Sequence, residues 1–168
     1  MADQEPWLRG TMQEVPSVAR AVLHALEMAR EDVIAACEGL TAEEIFARPG
    51  GVSPISFHLR HIPGSLDRLL TYAEGGSLAD AQKATMRAEL EEGGSSKSVF
   101  AAFLQGLMDA ERRVRALAGV DLEQARKVGK KELPTSAGGL LVHCADHTSR
   151  HVGQVVTTAK LVRDQRAG

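Results

Sequence analysis

The sequence predicts an all-α protein, a four-helix bundle. Three observations lead there. Four long stretches carry apolar residues at the 3.6-residue helical period, almost nothing alternates with the period of a strand, and Gly, Pro and Ser/Thr punctuation separates the stretches. The first stretch, 16–38, opens on Pro16, a good first-turn residue, and aligns Val18, Val22, Ala25, Ala29, Val33 and Ala36 before Gly39 stops it. Thr41 with Glu44 reads as a capping box that opens a short extra turn. The second, 54–74, takes Ser53 as N-cap and Pro54 as its first residue, aligns Ile55, Leu59, Ile62, Leu66, Leu69 and Ala73, and ends at Gly75 and Gly76.

From Ser77 a further short helix is expected, ending by Glu91 at a Gly/Ser-rich loop. The third long helix, 98–118, carries Phe100, Phe103, Leu107, Ala110, Val114 and Leu117, with Gly119 just past its end. The charged stretch 120–134, which holds Gly129 and Pro134, reads as a loop or one weak turn. The fourth helix, 136–164, aligns Leu140, Cys144, His147, His151, Val155, Thr158 and Val162, although Gly138 and Gly139 lower helix propensity by roughly 1 kcal/mol each. Amphipathic helices joined by one or two long connections form bundles whose cofactor sites lie between facing helices.

Composition narrows the function classes. At 168 residues the chain is expected to form one domain, 1–168. With 43% apolar and 25% charged residues and a net charge of -2, it offers no electrostatic reason to bind nucleic acid. There is no basic and apolar leader, and no apolar run approaches the ~20 residues a membrane span needs, so a cytoplasmic protein without a membrane partner is expected. The two cysteines, Cys37 and Cys144, cannot build a disulfide framework and read as buried, reduced thiols.

Histidine placement carries the chemistry. His147 and His151 stand four residues apart in the middle of the fourth helix's stripe, so their rings project from one face about one turn, ~6 Å, apart and can bend toward one ion. A core imidazole satisfied by a carbonyl or hydroxyl is the competing reading of any such pair. Here a second pair, His58 and His61, lies on another long helix and can supply a third ligand. On a helical wheel of ~100° per residue His58 lies about 60° from the centre of its apolar stripe and His61 about 120°, which favours His58. His143 is one turn before His147, a candidate to support it from behind. Cys144 is either a zinc-binding thiolate or a small buried hydrophobe. His24 reads as structural. Asp67, Asp146, Arg150 and Gln154 lie close in sequence to the ligands but are of types that are usually solvated helix residues.

Together the segment Phe57-His-Leu-Arg-His-Ile-Pro-Gly-Ser-Leu-Asp and the segment Leu141-Val-His-Cys-Ala-Asp-His-Thr-Ser-Arg-His-Val-Gly-Gln resemble the DNA-damage-inducible DinB-like family, also described as YfiT-like metal-dependent hydrolases. The resemblance covers nearly the whole chain in helix order. It implies an antiparallel four-helix bundle holding one divalent ion on three histidines, here His61, His147 and His151, with His58 as runner-up for the first position. It also implies a link to S-transferases that use bacillithiol or mycothiol, a stress-response setting, and a homodimer.

A three-histidine site leaves coordination positions open, the pattern of catalytic rather than structural zinc. One expectation is transfer of a low-molecular-weight thiol to a small electrophile, since a cation favours thiolate over thiol. Another is hydrolysis, for which the helix lacks the glutamate of a His-Glu-x-x-His motif. A third is a non-catalytic metal-binding protein. Imidazole ligands suit zinc, nickel and similar ions alike. No phosphate-binding loop, nucleophile elbow or cysteine knuckle competes with this site.

Overall fold

Where apolar residues recur every three or four positions, the computed structural model forms helices. Among the residues it describes, 4–89 and 93–167, these are α1 (Ser17–Cys37), α2 (Ala42–Phe46), α3 (Ile55–Ala73), α4 (Asp80–Ala88), α5 (Ser96–Ala116) and α6 (Ala137–Ala167). The four long helices are α1, α3, α5 and α6, each within three residues of its expected ends. The expected end of α4 by Glu91 lies outside the described residues.

Local chemistry explains most boundaries. Gly39 takes φ 71 beyond α1, a left-handed conformation that only glycine adopts readily. The Thr41 hydroxyl accepts from the Glu44 N–H at 3.3 Å while the Glu44 carboxylate accepts from the Thr41 N–H at 2.7 Å, completing the capping box of α2. Two expected ends are corrected. Pro54, extended at ψ 158, occupies the N-cap position of α3 itself, so Ser53 caps nothing. α5 ends at Ala116, where the Leu117 N–H donates to the Arg113 carbonyl, and Gly119 is not left-handed.

The stretch 120–134 is a larger correction. It is not a loop: it carries an antiparallel hairpin of β1 (Ala125–Val128) and β2 (Leu133–Ser136), pairing Ala125 with Ser136 and Val128 with Leu133. Gly129 (φ 71) and Glu132 (φ 48) supply the positive φ values that close its turn. A lone hairpin is marginal in water. This one is fastened to the bundle by Arg126, whose Nε donates to the Ala73 carbonyl at the end of α3 at 2.7 Å.

Side-chain contacts fix the helix directions. His58 meets His151 and His61 meets His147, so α3 and α6 run antiparallel. Gly106 abuts Pro63 while Arg113 pairs with Asp67 and Glu74, so α3 and α5 run parallel. Arg30 pairs with Glu111 and Arg115 reaches Met12, so α1 and α5 run antiparallel. Arg163 donates to the Glu38 carbonyl just past α1, so α1 and α6 share an end and run parallel. The result is an up-down-down-up bundle, two helices each way, with α1 and α3 each packed on both α5 and α6. Parallel α3 and α5 need a crossover that climbs back along the bundle, and α4 occupies it, packed on α3. Fully buried Leu26, Val33, Leu59, Phe103, Leu107 and Val155 form the centre of the core.

Candidate metal centre

α3 and α6 bring three imidazoles together near the middle of the bundle. Ligand nitrogens of His61, His147 and His151 all lie within 4.8 Å of one another, and each residue is half-buried. His61 Nε2 is 3.3 Å from His147 Nε2, close to the ~3.4 Å edge of a tetrahedron with ~2.1 Å bonds. Their ring centroids stand 4.4 Å (His61–His151) and 4.5 Å (His147–His151) apart.

The other nitrogens of two of these rings are held from behind. His61 Nδ1 donates to the Glu89 carboxylate at 2.7 Å, which leaves Nε2 for the site. His151 Nδ1 lies 3.0 Å from His58 Nδ1, so one ring donates to the other. With His151 as the donor, its Nε2 is free to act as a ligand. Such backing partners fix tautomer and orientation in metal-binding histidines. His58 is therefore not among the three converging rings. It is buried at 1% exposure on the core side of α3, and the wheel misplaced it because it ranked nearness to the stripe centre, whereas the site lies at the stripe's edge.

The same reason corrects the placement of the α6 pair. The deepest line of α6 is Leu141, Cys144, Thr148, Val152, Val155 and Ala159. His147 and His151 stand beside it rather than in its middle, because α6 packs on both α1 and α3 and the pair occupies the α3-facing edge.

Electrostatics suit the donor set. Burial, then the neighbouring His151 and His61, push His147 down to about 4; burial, then His151 and His61, do the same to His58. His151 is also lowered, first by burial. At neutral pH these rings are uncharged, the form that binds metals. For Glu89, burial is the largest influence and favours the neutral acid. Hydrogen bonds from His61 and Arg68 together outweigh it, so its carboxyl sits below the ordinary value.

Glu89 is the participant that sequence reasoning missed. It stands at the C-terminal end of α4, 4% exposed, with one oxygen on His61 and the other 2.5 Å from Arg68. In the sequence it opens a run of acidic residues that reads as solvated. The available signal was on α3, where His61, Gly64 and Arg68 share one face at helical spacing, leaving a gap and a cation for an incoming carboxylate.

The remaining candidates fall elsewhere. Cys144 is fully buried outside the cluster, and burial pushes its thiol up to about 12, so it packs as a hydrophobe. His143 is exposed, 3.7 Å from Asp146, with its ring 5.6 Å from that of His147. Asp146 also pairs with Arg150 at 2.8 Å. Asp67 is committed to Arg113 and Gln82. His24 bonds Thr11 at 3.1 Å, a structural role. Arg150 and Gln154 line a cleft of about 310 Å³ that begins at His58 and continues along α6 past Gly153 to Leu161.

A helical bundle on which three imidazoles from two facing helices converge defines a class: bundle proteins with a candidate centre for one divalent ion. A family model described as the DinB superfamily matches residues 25–155, and the chain belongs to that family. No curated protein matches it. Among the described residues, no helix is long and apolar enough to cross a membrane.

Proposed function

We propose that this protein binds one divalent ion, zinc, nickel or a similar ion, on His61, His147 and His151, and uses it to transfer a low-molecular-weight thiol to a small electrophile. The observation that carries the reading is the donor set: three imidazoles converge while Cys144, which could close a structural site, is buried outside it. When bound, such an ion supplies a Lewis-acidic centre that favours thiolate over thiol at neutral pH. His61, His147 and His151 add no negative charge as ligands, and the nearby Glu89 carboxylate meets the site only through the His61 ring, so most of the ion's charge would be left to act on the thiol. The half-buried rings leave an approach for the thiol from solvent. The thiol sulfur bonds to the electrophilic carbon, whose former bond breaks, and the thiol proton passes to the leaving group or the opened ring oxygen.

The carboxylate nearest the triad, Glu89, bears on the choice between transfer and hydrolysis. Its two oxygens are engaged by His61 and Arg68, which leaves it poorly placed to take a proton from water, and this favours transfer. Protein purified without a nickel column should contain one divalent ion per chain. It should consume bacillithiol, mycothiol or glutathione together with an epoxide or haloalkane, and lose that activity in His151→Ala. Metal-dependent ester hydrolysis without thiol would establish the hydrolytic reading instead. Inactivity in both assays with metal bound would favour a non-catalytic metal-binding protein. A cytoplasmic location and a homodimer complete the proposal, the latter checked by light scattering.

A further inference from the structure

We infer that Glu89, delivered by the α4 crossover into a gap left by Gly64, is the positioning residue that holds His61 ready for the ion. The inference rests on the reading of His61 as a metal ligand and concerns how that ligand is kept in place. Three independent features point to it. First, Glu89 is a carboxylate at 4% exposure, a costly placement unless both oxygens are satisfied. They are satisfied by His61 Nδ1 at 2.7 Å and Arg68 at 2.5 Å, and Arg68 is itself only 11% exposed.

Second, α3 is built to receive it. A Cβ at Gly64 would lie 2.4 Å from Glu89 Oε1 and 3.1 Å from an Arg68 guanidinium nitrogen. Gly64 is not among the glycines with positive φ, and glycine inside a helix costs about 1 kcal/mol relative to alanine. Backbone conformation therefore gives no reason for glycine here, whereas room for the carboxylate does. Third, α4 itself buries nothing, while the residue that closes it is almost fully buried. The crossover is tied to the site through Glu89, with Gln82 binding Asp67 and Thr71 one level away.

The chemistry follows from these contacts. By accepting from Nδ1–H, the carboxylate fixes the His61 proton on Nδ1 and keeps the Nε2 lone pair directed at His147 and His151. Its negative charge would partly offset the charge of a bound cation. Arg68 keeps Glu89 ionised and stops it from swinging into the site as a ligand.

The test uses Co(II) as the probe, with affinity read by competition against a chromophoric chelator. Glu89→Ala should bind Co(II) 10–100-fold more weakly, the usual cost of losing such a partner. Gly64→Ala removes no polar group, yet it displaces the carboxylate, so it should weaken binding in the same direction while circular dichroism shows the protein still folded. Glu89→Gln, which can still accept from Nδ1–H, should recover part of the loss. Nitrogen-15 spectra of the metal-free protein should show His61 protonated on Nδ1, and redistributed between the two nitrogens in Glu89→Ala, a change that a purely structural role would not produce. Unaltered affinity in Glu89→Ala and Gly64→Ala, or a His61 proton found on Nε2 in the unaltered protein, would overturn the inference. If the unaltered protein takes up no Co(II), the metal reading falls and this inference with it; if it loads and the variants load equally, only the inference falls.

Discussion

At the scale of single residues, the candidate centre depends on keeping imidazoles uncharged, and this gives it a pH signature. His58 and His147 are held near 4, first by burial and then by neighbouring histidines, against an ordinary value near 6.5. Below about pH 6.5 the unfolded chain takes up protons that the folded one refuses. Stability of the metal-free protein should therefore be full above that pH and decline as pH falls toward 4. For fully buried His58 alone the loss at pH 5 should be about 1–2 kcal/mol. Urea titrations of chelator-treated protein at pH 8 and pH 5 measure it, and His58→Leu should flatten the dependence. Equal stability at both values would mean that His58 is solvated. The sequence displayed the His147–His151 pair because four-residue spacing is a property of one helix. It could not rank His58 against His61 by spacing, since that depends on which edge of α3 faces α6; the resemblance pointed to His61, the ring that lies beside the pair. Glu89 was illegible for a similar reason, because its partner lies 28 residues earlier on a different element.

Elements lock together at glycines whose roles differ, and the same substitution should have opposite signs. α3 and α5 meet where a Cβ at Gly106 would fall 2.2 Å from Cβ of Pro63, a ring that cannot rotate away. Gly106→Ala should force the helices apart and destabilise by about 1–3 kcal/mol despite its better helix propensity. Because Pro63 is two residues from His61, that variant should also bind the ion more weakly. Gly153 on α6 has nothing within 4 Å of an added Cβ, so Gly153→Ala should be neutral or stabilise by up to about 1 kcal/mol. Chemical denaturation of both variants decides the matter, and a stabilised Gly106→Ala would refute the packing argument. The long helices were legible because their periodicity spans several turns. The hairpin was not, since Arg126 and Lys127 interrupt any alternation in β1 and its stability comes from Arg126 on the end of α3 rather than from its own pattern.

For the whole molecule, an ion held between α3 and α6 ties together two helices that the chain connects only through α4, α5 and the hairpin. Binding to the folded state alone should raise stability by about 4 kcal/mol at a free ion concentration 1,000 times the dissociation constant. For a chain of this size that corresponds to roughly 8–16 °C in melting temperature. Calorimetry with and without chelator tests this, and His147→Ala should abolish the difference. A second whole-molecule consequence lies in the parallel pairing of α1 with α6. About 100 residues separate the end of α1 from the start of α6. During synthesis at ~5–20 residues per second, Val22, Leu26 and Val33 therefore wait some seconds for part of their cover. α6, synthesised well after α1, closes the core over it and also brings His147 and His151. An ion on the proposed site therefore cannot template the folding steps that precede α6, and could bind only after α1 has found its cover.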